Sequence, residues 1–67
     1  MTQEQLRAYV RFCYRPQPGC TAEHRRLAVA LVMRHVERRA PAGWLPDILY
    51  AHGLPRYARA ADEILSL

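Results

Sequence analysis

A chain of 67 residues has room for one domain. At that size only about 60% of the surface exposed in the unfolded form is buried, so the fold needs a well-used core, a staple or a partner. A composition of 51% hydrophobic and 24% charged residues excludes a wholly disordered chain, and no stretch approaches the roughly 20 apolar residues of a membrane span. The net charge is +4, from six acids and ten basic residues, which excludes a DNA-mimicking inhibitor because that needs a dense negative surface.

All of the basic residues are arginine, which coding bias toward GC-rich codons explains most simply. The physical consequence holds regardless: arginine stays charged, forks onto carboxylates and phosphates, and stacks on aromatic rings. The N-terminal stretch carries Glu4, Arg7 and Arg11 and has no apolar run, so it does not read as a signal peptide. A cytoplasmic protein is expected. Met1-Thr2 and Leu67 read as the ends of a complete small reading frame, and residues 1–67 as a single helical domain.

The first predicted helix covers about 2–15. Thr2 followed by Gln5 fits a capping box, and Leu6, Tyr9, Val10 and Cys13 share one helical stripe while Arg7, Arg11 and Arg15 share a neighbouring one. Pro16-Gln17-Pro18-Gly19 ends it in a turn. The second and longest helix runs over about 22–39, with Thr21 as N-cap, Glu23 favourable for the dipole, Arg38 and Arg39 at the C-terminal end and Pro41 as the stop. A short third helix follows at about 45–52, with Leu45, Ile48, Leu49 and His52 on one stripe, Pro46 in its first turn and Gly53 closing it. Leu54-Pro55 opens a fourth at about 55–66, whose inner stripe is Tyr57, Ala60, Ala61 and Ile64. No segment alternates as a strand does. The expectation is an all-α bundle of three to four helices around a long central second helix.

That second helix carries apolar residues on two sides. At about 100° per residue, Val29, Val32, Met33, Val36 and Ala40 gather on one side, and Leu27 and Leu31 point nearly the other way. Two stripes mean either that the helix is sandwiched or that one stripe is an interface. The Leu27/Leu31 side turns basic along its length, with Arg34 and Arg38 following and His24 and His35 at its flank. Either a neighbouring helix covers the two leucines and the arginines are a solvated end, or this side meets a partner. In the second case two buried leucines would contribute on the order of 3–6 kcal/mol before ordering costs. A homodimer is expected on the same ground. Phe12 lies off the stripe of its own helix, which makes it either part of a wide core face or an anchor for a partner. Tyr14 and Tyr50 are also off-stripe, and Trp44 reads as a core lid over the corner between the second and third helices.

Chemistry-bearing residues are few. Cys13 and Cys20 flank the first turn, but a reducing compartment disfavours a disulfide. Adding His24 to them still leaves a zinc site without a fourth ligand and with a Cys13–Cys20 gap too long for a ligand pair. Cys13 reads as a small core residue and His24 as a solvated residue of the second helix. Gly19, Gly43 and Gly53 are scattered, so there is no phosphate-cradling loop, and Asp62-Glu63 is the one adjacent pair of acids. No catalytic residue, cofactor or metal is assigned.

Two functions of different classes remain. The leading one is a non-enzymatic regulatory protein that modulates a larger protein by direct contact, as inhibitor, adaptor or anti-activator, through Phe12, Leu27, Leu31, Arg34, His35 and Arg38 against an acidic-rimmed apolar groove. The alternative is a helix-turn-helix-like nucleic-acid binder that reads with Arg56, Tyr57 and Arg59 of the fourth helix, or that uses Arg7, Arg11, Arg15, Arg25 and Arg26 as a basic surface. Asp62 and Glu63 weigh against it, as does a charge of +4, modest for an unaided polyanion binder.

Overall fold

The computed structural model describes residues 1–66; Leu67, read above as the chain end, lies outside the described residues. Four helices follow one another: α1 (Gln3–Cys13), α2 (Ala22–Arg38), α3 (Trp44–Ala51) and α4 (Pro55–Leu65), with no strand among the described residues. The all-α bundle expected from periodicity is the fold.

Local chemistry sets the ends of each helix. At α1 the Gln5 amide donates to the Thr2 hydroxyl at 3.0 Å and the Thr2 amide donates back to the Gln5 side-chain oxygen at 2.7 Å. Two amides that the helix itself leaves without partners are thereby satisfied. At α2 the reciprocal partner is a histidine. The His24 amide donates to the Thr21 hydroxyl and the Thr21 amide donates to His24 Nδ1, both at 3.2 Å. His24 is thus a capping residue rather than a bystander. Pro46 sits in the first turn of α3 and Pro55 opens α4, where a missing amide costs nothing.

The C-termini of α2 and α3 close in the same way. After α3, Gly53 has φ +71°, its amide reaches the Tyr50 carbonyl at 3.0 Å, and the Leu54 amide reaches the Leu49 carbonyl at 2.9 Å. This is a Schellman closure, with buried Leu54 supplying its apolar contact. After α2, Arg39 occupies the equivalent position at φ +50°, its amide bonded to the Val36 carbonyl and that of Ala40 to the His35 carbonyl, both at 3.2 Å. Arginine there bears the steric cost of the left-handed region that glycine escapes.

The helices form a ring of neighbours: α1 packs on α2, α2 on α3, α3 on α4 and α4 back on α1, with the α3–α4 pairing the most extensive. α1 and α4 run antiparallel, since the Gln5 side chain meets the Ile64 carbonyl at one end and Phe12 meets Tyr57 at the other. Tyr9, Cys13, Ala28, Leu31, Val32, Leu45, Leu49, Leu54, Tyr57, Ala58 and Ala61 are among the buried residues of a single apolar cluster drawn from every helix. The Tyr9 hydroxyl, inside that cluster, donates to the Tyr57 carbonyl at 3.2 Å. Burial, with the neighbouring Cys13, holds the Tyr9 phenol far above the ordinary tyrosine range, so it stays protonated as a donor.

The faces of α2 differ from the expectation. Leu31, expected at a partner surface, is 4% exposed and packs in the core, and His35 beside it is 1% exposed. Leu27 is half-buried against the same cluster. The face that α2 turns outward carries Met33, 42% exposed, and Val36, 37% exposed. The reason lies in the neighbours: α1 and α3 approach α2 on the side of Ala28, Leu31, Val32 and His35, which leaves the Met33 side uncovered. No described helix is long and apolar enough to cross a membrane.

Candidate functional site

The expected partner face on α2 is divided by the fold. Arg34 and Arg38 are exposed, but Leu31 and His35 are sequestered, so those four do not form a common surface. His35 stacks on the half-buried Trp44 with ring centroids 5.6 Å apart, which makes Trp44 the cover of the α2–α3 corner that its sequence position suggested. Burial, and secondarily the positive amino terminus, lowers the His35 imidazole from the ordinary histidine value, and its Nδ1 has no hydrogen-bond partner. A neutral, buried ring cannot contribute to an electropositive docking face.

The residues named for nucleic acid separate as well. Tyr57 is buried, in edge-to-face contact with Phe12 at 5.9 Å, so it cannot read a base. Burial raises its phenol above the ordinary range. Arg25 is half-buried, with its guanidinium 5.4 Å from the Tyr14 ring centre, a cation–π contact that ties the start of α2 to the end of α1. Arg7, Arg11, Arg26, Arg56 and Arg59 are exposed.

The fold does gather one group that the sequence presented as separate features. Phe12 is half-buried between α1 and α4, where it stacks on Tyr9 at 6.5 Å and meets the edge of Tyr57. Two open hollows adjoin it. One, of about 560 Å³, lies between Phe12, Gln17, Arg56, Arg59, Ala60 and Glu63. The other, of about 260 Å³, lies between Ala8, Arg11, Phe12, Arg15, Glu63 and Ile64. Phe12, Ala60 and Glu63 belong to both, so the hollows form one groove along the α1–α4 seam. It exists because the facing positions Ala8 and Ala60 carry only a methyl group, too small to fill the space between antiparallel helices. Arg11 of α1 and Arg15 of the turn after it rim one side, Arg56 and Arg59 of α4 the other, and Glu63 is the one acid in its lining. Gln17, Ala60 and Glu63 were not singled out as site residues from sequence, and Arg15 only as part of the basic surface of the nucleic-acid alternative. The signal that pointed here was Phe12 lying off its stripe beside the Arg7/Arg11/Arg15 row.

No family model matches the chain, and neither the curated proteins nor the solved structures contain a match.

Cys13, His24 and His35 have structural employment. Cys13 is buried beside Tyr9, and burial pushes its thiol up to about 11, away from the thiolate a nucleophile or metal ligand needs. Cys20 is half-buried and both cysteines are free thiols. His24 Nδ1 is taken by the Thr21 amide. Among the described residues no three His, Cys, Asp or Glu side chains come together as a metal-binding group.

Proposed function

We propose that the protein is a non-enzymatic regulator that binds a larger protein by direct contact, as inhibitor, adaptor or anti-activator, and that the α1–α4 groove is its docking site. The observation that carries this reading is the half-buried Phe12 at the floor of a groove with arginines on both rims and one carboxylate in its lining. An apolar side chain set against Phe12 gains area burial and aromatic contact. Carboxylates flanking that anchor meet Arg11, Arg15, Arg56 and Arg59, whose planar forks suit carboxylate geometry. The ligand implied is a protein segment with an apolar anchor and acidic neighbours.

Glu63 supports a polypeptide over a nucleic acid. A carboxylate inside the groove repels a phosphodiester backbone, whereas a bound peptide offers it amide or basic donors. Asp62 is exposed one residue before it, and Tyr57 is buried. What still favours the helix-turn-helix reading is that Arg56 and Arg59 are both exposed in the first half of α4, directly after the Gly53 turn.

The test is capture from native cell extract on immobilised protein, with and without nuclease, read by mass spectrometry. It is joined to a titration with random duplex DNA at low and moderate salt. Protein capture that survives nuclease, with no salt-dependent DNA binding, is the expected result. Capture abolished by nuclease, together with DNA affinity that falls steeply with salt, would replace this proposal with the nucleic-acid one.

A further inference from the structure

The groove makes no use of α2, none of whose residues lines either hollow. Yet the outward face of α2 is apolar. Ala22, Val29, Met33 and Val36 lie along it, with Arg26 in the same row, at alternating steps of four and three positions. Ala22, Ala30, Met33 and Val36 are exposed and Val29 is half-buried. Repeats of three and four are the spacing by which one helix seams against another. Met33 and Val36 are large apolar side chains left in solvent by a chain that is short of core.

We infer that this face is the seam of an antiparallel homodimer, α2 lying against α2 of a second copy, with Arg26 of each protomer paired to Glu37 of the other. Charge placement selects a second copy as the occupant. Arg26 and Glu37 are both exposed and lie on the same edge of the apolar row, about 20° apart around the helix. They are eleven positions apart, or about 16 Å along the axis, too far to meet within one helix. A two-fold axis perpendicular to α2 near position 31 reverses the direction of the partner helix but keeps each edge on its own side. It sets Met33 across from the partner's Val29 and Val29 across from the partner's Met33. Arg26 comes across from the partner's Val36, and its guanidinium beside the partner's Glu37. One registration therefore satisfies both the apolar row and the charges, and the symmetry makes the pair twice. The unbranched Met33 side chain adapts to such a seam, and Ala30 at the edge lets the helices approach.

The test is sedimentation equilibrium over about 1–200 μM on the wild type and on R26E, E37R and the R26E/E37R double variant, with helical circular dichroism on each. The wild type is expected to show reversible dimerisation. Each single charge reversal is expected to weaken association roughly tenfold, because two rim pairs become repulsive per dimer. The double variant is expected to recover it, because reversed charges pair again only across the two-fold. All four proteins should keep the same helical signal, since both side chains are exposed. A wild type that is monomeric throughout overturns the proposal. So does a dimer whose double variant is no stronger than the singles, which would place the contact on another face or in a parallel arrangement.

Discussion

Replacing His35 with leucine tests the interior of the bundle through its dependence on pH. The ring is 1% exposed, its Nδ1 has no partner, and burial lowers its proton affinity in the folded state. The unfolded chain takes up a proton at the ordinary histidine value of about 6.5, while the folded chain resists it. Below that value the unfolded state binds more protons, so stability falls as pH falls toward the depressed folded value. At pH 5.0, a proton accepted by the unfolded state alone lowers stability by up to about 2 kcal/mol, from about 1.4 kcal/mol per pH unit over 1.5 units. That is a large share of the roughly 3–10 kcal/mol available to a domain of this length. Urea unfolding followed by circular dichroism at pH 7.5 and pH 5.0, on wild type and His35→Leu, measures the difference. His24 and His52 are present in both proteins and cancel in the comparison. The wild type is expected to lose up to about 2 kcal/mol more than the variant across that interval. At pH 7.5 the variant sheds an unsatisfied buried nitrogen, a gain on the order of 1–3 kcal/mol, against loss of the Trp44 stacking. Equal pH dependence in the two proteins would refute the placement of a neutral, solvent-excluded imidazole between α2 and Trp44.

Two further substitutions follow from the same packing. Leu31→Glu buries a carboxylate among Ala28, Val32 and their neighbours, and is expected to abolish the cooperative helical transition at neutral pH; a variant with unchanged thermal unfolding would return Leu31 to the surface. Arg39→Gly relieves a left-handed arginine at the position Gly53 fills after α3, and is expected to stabilise by about 0.5–1 kcal/mol, read as a higher urea midpoint with an unchanged slope.

The helices were legible in the sequence because their signals are local. Thr2 with Gln5, Thr21, Pro41, Pro46, Gly53 and Pro55 act within a few positions of where they stand, and the observed ends fall within two residues of those expected. One local detail escaped: His24 completes a capping box through Nδ1, a role usually filled by Glu or Gln. What was not legible was which side of α2 faces inward. Both sides carry aliphatic residues at helical spacing, so the choice rests on where α1 and α3 arrive, and that is a non-local outcome. For this reason the sequence left Leu31 open between the core and a partner surface, with His35 at the flank of the same side. The groove is of the same kind. Phe12 and the arginines of α1 stood out separately, but their meeting with Arg56, Arg59 and Glu63 depends on antiparallel docking of the first and last helices. The Tyr9–Tyr57 hydrogen bond that fixes this docking joins residues 48 positions apart.

The docking claim is tested most directly by reversing charge on the groove rim without touching the core. Arg56 and Arg59 are exposed and line the groove, so Arg56→Glu/Arg59→Glu reverses one rim while the helical signal and unfolding midpoint should stay close to wild type. In nuclease-treated extract, quantitative mass spectrometry of the proteins retained by the wild type and by this double variant gives the answer. A protein retained by the wild type is expected to fall by at least about tenfold on the folded variant, in line with loss of two charge-assisted contacts. Undiminished retention on a fully folded variant would contradict the groove as the docking site.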